Sequence, residues 1–261
     1  MSPEPAGPGL TVVHLVWAPL GVEQLRRFVA AYQAKPAGQE HRLLTVYNGF
    51  AAGADMEKWQ AVLADVPHEQ LQLASPVLDL VAYGQVVTAT DASAYCFLNS
   101  YSEPLVEDWL RLLTGHLNDP TIAAVGASGS YESIHTTSHP LTRFRKRDFP
   151  AFPNPHLRTN AFAARREDLM RVVWPTIGSK LDALRFESGP QSLTRQLQQF
   201  GRAVVAGRDG HAYDVADWQA SGTFRWGEEA NLLVSDNRTR EYLGATPERR
   251  RDLERRAWSP R

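Results

Sequence analysis

The stretch ASAYCFLNSYSEPLVEDWL, residues 92–110, decides the fold class. Ala94 to Leu98 is a short apolar run with aromatic members, the signature of a buried strand. Pro104 suits the first turn of a helix, and Glu103, Glu107 and Asp108 favour its positive end. Trp109, Leu110, Leu112 and Leu113 then form its apolar stripe. Between strand and helix lies Asn99-Ser100-Tyr101-Ser102, small and polar, at the carboxyl end of a strand. In open α/β sheets that end is where ligands bind.

The same alternation extends in both directions. Leu10 to Val16 reads as a first strand, Trp17 to Gly21 as a turn, and Val22 to Gln33 as a helix. Arg42 to Tyr47 is a second strand, followed by the turn Asn48-Gly49-Phe50 and a helix carrying Met56, Trp59, Val62 and Leu63. A short strand near Leu71 to Ala74 precedes a loop, Pro76 to Gly84, and a short helix, Val86 to Ser93. Beyond the quoted stretch, Ile122 to Gly126 and Arg158 to Phe162 read as strands, Arg166 to Val173 and Ser192 to Phe200 as helices, and Ala203 to Ala206 as a last strand. Strands alternating with helices predict an α/β fold: a mixed, mainly parallel sheet flanked by helices. Right-handed crossovers place the turns after the strands on one rim, so 17–21, 47–50, 79–84 and 99–102 converge there.

The expected organisation is a disordered Pro/Gly-rich leader (1–9), a domain (10–214) and an irregular C-terminal extension (215–261) that packs on the domain or on a partner subunit. The long irregular segment 128–155 reads as an acceptor-side loop, with Phe144, Phe149 and Phe152 as candidate stacking faces and His135, His139 and His156 lacking ligand spacing. In all, 261 residues, 43% hydrophobic, give ample core for one large domain. A net charge of −1 argues against a dedicated nucleic-acid binder. The arginine-dense end, 240–261, has acids interleaved and reads as a solvated helix or an interaction tail. The single cysteine, Cys96, sits in the apolar strand and reads as packing. No apolar run is long enough to span a bilayer, which points by default to the cytoplasm. There is no Cys/His metal spacing, no G-x-S-x-G, no G-x-G-x-x-G and no glycine-rich phosphate loop.

Several motifs in order carry a resemblance: CFLNSYSEPLVEDWL (96–110), NDPTIAAVG (118–126), LLTVYNG (43–49) and FESGPQSLTRQLQQFG (186–201). Together, over about residues 10 to 210, they resemble inverting family-2 glycosyltransferases of the GT-A fold. The resemblance implies a nucleotide-sugar donor, a saccharide or other hydroxyl acceptor, and a role in polysaccharide biosynthesis. In that family a strand-end Asp-x-Asp grips a divalent cation, Mg2+ or Mn2+. Here Asn99, Ser100 and Tyr101 stand in that place and no carboxylate follows until Glu103. Amides and hydroxyls are poor ligands for a hard cation, so the resemblance implies a weakened or absent metal site. Diphosphate charge would then fall to arginines, with Arg158 and Arg195 as candidates. The alternative for Asn99–Ser102 is a plain helix cap at Ser102.

Glu187 is the candidate catalytic base, because an inverting transfer needs one group to take the acceptor proton. Its other reading is a cap for the helix beginning at Ser192, with Asp182 as the fallback base. The remaining donor-side candidates are Tyr47, Asn48, Asp79, Asn99, Tyr101 and His211, each with a plain turn, cap or solvent reading beside the functional one. Residues 218–242, rich in aromatics and arginine, would cover the donor or acceptor or form a homo-oligomer contact. Two other functions compete. One is a glycosyltransferase-like binding module that has lost catalysis. The other is a nucleotidyltransferase, which the turn at Trp17 to Gly21 disfavours.

Overall fold

The computed structural model describes residues 9–51, 53–54, 56–135 and 148–259. Apart from Gly9, the expected leader lies outside them, as do His139 and Phe144. In chain order the first half is β1 (Leu10–Trp17), α1 (Val22–Ala34), β2 (Arg42–Asn48), α2 (Glu57–Val62), β3 (Glu69–Gln72), α3 (Asp79–Ala89), β4 (Ala94–Leu98), β5 (Glu103–Pro104) and α4 (Trp109–Thr114). Then come β6 (Ile122–Gly126), β7 (Gly129–Ser130), β8 (His156–Leu157), β9 (Ala161–Arg165), α5 (Arg166–Met170), α6 (Lys180–Ser188) and α7 (Leu193–Leu197). The remainder is β10 (Arg202–Ala206), β11 (Ala212–Tyr213), β12 (Val234–Ser235), α8 (Asn237–Leu243) and α9 (Pro247–Trp258).

The main sheet has the order β11-β10-β6-β9-β4-β1-β2-β3. β9 runs antiparallel to both β4 and β6, and β11 antiparallel to β10; the other strands are parallel. This is the α/β class expected from the sequence. Its centre is buried on both faces, which is why β1 and β4 read as continuous apolar runs. Val12 and Val16 of β1 pack on one side with Phe28, Trp109 and Leu110. Val13 and Leu15 pack on the other with Tyr83, Phe97 and Phe162. Cys96 lies wholly inside, where burial pushes its thiol pKa up and leaves it a packing group.

Several expected boundaries are corrected. Pro104 does not open a helix: with Glu103 it forms β5, which pairs with β12, and α4 begins at Trp109. The loop expected over 76–84 is mostly helix, since α3 already starts at Asp79. Gly84 suggested a loop, yet it lies within the helix, where an added Cβ would stand 2.9 Å from the Trp174 ring, so the close packing of Trp174 requires glycine there. The strand expected at 158–162 is β9, shifted to Ala161–Arg165. Glu187 lies not in a turn but in the last turn of α6. α7 is shorter than expected and is capped by Ser192, whose side chain accepts from Arg195 N–H. Two further short strands, β11 and β12, follow the strand expected to be last.

Residues beyond 214 pack on the sheet domain. Trp218, Phe224 and Trp258 join one core cluster, and Trp258 Nε1 donates to the Phe224 carbonyl at 2.9 Å. The arginine-dense end is therefore not a freely solvated helix, because α9 buries Leu253, Ala257 and Trp258. Among the described residues, no helix is long and apolar enough to cross a membrane.

Candidate functional site at the carboxyl rim of the sheet

The parallel strands end together at Trp17, Asn48, Gln72, Leu98, Gly126 and Ala206, and the antiparallel β9 and β11 begin at that rim. The β4 end is held by side chains. Asn99 N–H donates to the Asn160 carbonyl at 2.9 Å, tying β4 to the start of β9. Asn99 Oδ1 accepts from Tyr101 N–H at 2.9 Å and lies 3.0 Å from Ser102 Oγ. Ser102 Oγ donates to the Asn160 carbonyl at 2.6 Å, so Ser102 is a strand-end lock and not a helix cap. The tetrapeptide thus builds a rigid turn from its own oxygens.

That chemistry does not suit a divalent cation. The Asn99 oxygen is already engaged, and Glu103 Oε1 is held by Arg27 at 2.8 Å and Arg240 at 2.9 Å. Among the described residues, no group of three His, Cys, Asp or Glu side chains converges. A hard cation wants several free anionic oxygens, which this strand end does not offer.

The rim does bring two distant carboxylates together. Asp79 opens α3 just beyond β3, and Glu187 closes α6. Asp79 is half-buried, and its pKa is raised to about 6, first by burial and then by the negative charge of Glu187.

Beside them opens a polar cavity of about 280 Å3. Ser130, His156 and Arg158 reach it from the rim, and Glu187 and Ser188 from α6. Phe224 and Arg225 form another wall, and Arg238, Arg249 and Arg256 enter from α8 and α9. Arg158 pairs with buried Asp236 at 2.8 Å and lies over the Phe224 ring at 4.2 Å. Arg238 and Arg249 both reach Glu241, each at 3.1 Å. A larger open groove, about 640 Å3, runs between α1 and α2 and takes no residue from the rim.

Of the residues singled out from sequence, Glu187, Arg158 and His156 line this cavity, and Asp79 stands near enough to Glu187 for its charge to be felt. The other donor-side candidates do not line it. Tyr47 is buried edge-on against Phe50 at 5.4 Å, which removes its ring from any ligand. Asn48 spends both ends of its amide on Val77, donating to its carbonyl at 2.8 Å and accepting from its N–H at 3.1 Å. Tyr101 follows the lock at the β4 end, half-buried, outside the cavity lining. Arg195 reaches Asn154 Oδ1 at 3.3 Å, and His211 stands exposed on the β10–β11 turn beside Asp209. Asp182 is tied to Ser179 and Arg185 in the first turn of α6, outside the cavity lining, and the Ser179 hydroxyl foremost lowers its pKa. Phe149 is buried, Phe152 meets Tyr131 edge-on at 6.4 Å, and Trp226 is exposed. Sequence reading missed Glu132, Arg225, Arg238, Arg249 and Arg256 as site residues, because only folding of the C-terminal segment onto the rim assembles them.

Fold and cavity together define an α/β protein with a cationic, carboxylate-bearing site at the strand ends. No family model matches the sequence, and no curated protein matches it. Among solved structures the chain is similar to a mannosyltransferase from Pyrobaculum calidifontis in complex with GDP-Man and Mn2+, at 15% identity and TM-score 0.49, over 84% of this chain and 61% of that one. It is similar also to glucosyl-3-phosphoglycerate synthase from Mycobacterium tuberculosis in complex with Mn2+, UDP and glucosyl-3-phosphoglycerate, at 15% identity and TM-score 0.48, over 77% of this chain and 70% of that one. The chain spans less than two thirds of the mannosyltransferase's length. At these identities and TM-scores the likeness fixes no substrate for this chain.

Proposed function

We propose that this chain is a glycosyltransferase that moves a sugar from a nucleotide-diphosphate donor to a hydroxyl of a saccharide or related acceptor, with inversion. The observation that carries the reading is the place of Glu187 on the wall of an arginine-lined cavity at the strand ends, with Asp79 close enough for its charge to be felt. In the reaction the Glu187 carboxylate takes the acceptor hydroxyl proton as that oxygen bonds to the sugar anomeric carbon. The bond from that carbon to the diphosphate oxygen breaks, and the nucleoside diphosphate leaves with the electron pair. Asp79 stands near enough to Glu187 for the two charges to interact. Guanidinium groups and rim N–H groups meet the charge of the leaving group. No step runs through a metal, since the β4 end lacks the donors to hold one.

Donor hydrolysis and sugar transfer, measured with a panel of UDP-, GDP-, dTDP- and CMP-linked sugars, test this. Glu187→Gln is expected to lower turnover about 10²- to 10⁴-fold while donor binding persists. The locked Asn99 turn favours one second reading, a binding module without catalysis. Such a module would be protected thermally by a nucleotide sugar, would not turn it over, and would not respond to Glu187→Gln.

A further inference from the structure

Arg225 is a buried cation with an unmet donor among the described residues. Its side chain is 7% exposed, yet Nη1 stands 3.6 Å from Glu132 and Nη2 3.7 Å from Glu241, both beyond hydrogen-bond reach. Its Nε has no partner among the described residues, and neither has Nε of Arg256 in α9, whose Nη2 is paired with Asp252 at 3.0 Å. Buried guanidinium groups are ordinarily hydrogen-bonded, because a desolvated donor left unmet is costly. Like charges are also crowded here. Arg158 and Arg225 both lie over the Phe224 ring, at 4.2 and 4.9 Å. Burial foremost brings Arg225 down to about 10; Arg158 and Arg238 push the same way, against the pull of Glu132 and Glu241. The backbone fixes the residue in place: its φ is 44°, and its N–H donates to Glu229 Oε1 at 2.8 Å.

We propose that the cavity is an oxyanion site, in which Arg225, with Arg256 and Arg158 beside it, binds the phosphate group of a small ligand. A carboxylate is satisfied by one guanidinium fork. Donors arriving from three separate walls suit the several oxygens of a phosphate better. Glu132 and Glu241 offset part of this cationic charge from 3.6 and 3.7 Å, beyond hydrogen-bond reach of Arg225. Resting on the function proposed above, the ligand is the acceptor: a phosphorylated compound whose free hydroxyl faces Glu187 in the same cavity. A cavity of about 280 Å3 fits a small phosphorylated molecule and not a polymer.

The experiment is thermal unfolding of the full chain with inorganic phosphate as probe, with UDP and GDP as separate arms. Phosphate at 10 mM is expected to raise the Tm by about 2–5 °C, and the rise should vanish in Arg225→Gln but persist in Arg26→Gln, outside the cavity. Should Arg225→Gln fail to show a cooperative transition, Arg256→Gln decides in its place. No rise in the parent protein overturns the site, as does an equal rise in parent and cavity variants, which means an adventitious ion only. Phosphate and nucleoside diphosphate shifts that add support an acceptor phosphate. A phosphate shift abolished by saturating nucleoside diphosphate overturns the acceptor assignment and gives the site to the donor. If phosphate binds as expected but no nucleotide or nucleotide sugar does, the oxyanion site stands and the glycosyltransferase reading falls alone.

Discussion

Asp79 ionises against two opposing influences, its burial and the charge of Glu187, and this gives the fold a measurable pH dependence. Its folded pKa, about 6, lies above the ordinary 3.8, so the native state binds the proton more tightly than the unfolded chain. Its ionisation therefore weakens the fold as pH rises from about 4 to about 6, and the deficit is constant above that. Asp79→Asn is expected to be more stable than the parent by about 1–3 kcal/mol at pH 8 and nearly equal to it at pH 4, read from denaturant unfolding at each pH. His14 acts in the opposite sense. It is buried in β1, stacked on Phe28 at 3.6 Å, and burial lowers its pKa from 6.5 to about 3. The folded state refuses the proton, so stability is full above pH 6.5 and is lost as pH falls from there toward 3. His14→Leu should flatten the acid limb of the stability profile, by on the order of 3–5 kcal/mol across that window. Glu187 and Asp79 were legible one at a time as carboxylates near turns. Their common place at the rim was expected from the convergence of the turns and from the resemblance, and not from periodicity.

At the scale of elements, the strand 94–98, the polar turn and the helix carrying Trp109 were legible because each follows a local rule of burial or periodicity. The join between turn and helix was misread for a non-local reason: Glu103 and Pro104 are recruited by β12, whose sequence lies far downstream. The turn itself makes a sharp prediction. Asn99→Ala removes an acceptor used by Tyr101 N–H and Ser102 Oγ and should cost about 1–2 kcal/mol of stability, whereas Asn99→Asp keeps that oxygen and should cost little. The docking of α9 is testable in the same way. Trp258 packs edge-on against Tyr131 at 5.0 Å and is nearly fully buried, so Trp258→Ala should cost about 3–5 kcal/mol in chemical denaturation.

Across the whole molecule, the α/β class followed from alternation, while the reversed direction of β9 did not, because a doubly buried strand looks the same in either sense. The cavity was only partly legible: its walls come from residues 130–134, 156–158 and 184–188, from the stretch 218–242 expected to cover a ligand or form a subunit contact, and from the end 240–261 read as solvated. Those C-terminal stretches also complete a core cluster through Trp218, Phe224 and Trp258. A chain ending at Asp214 should therefore lose its single cooperative unfolding transition, by calorimetry or circular dichroism, and not merely its ligand.

The reversal of β9 has an architectural result. β6 leaves the sheet at the rim and β9 re-enters there, so the connection between them starts and finishes on the ligand side. Exchange or lengthening of that connection would redraw the chemistry at the entrance while every ladder hydrogen bond behind it stayed in register. Descendants of this chain could change clientele by editing one cassette.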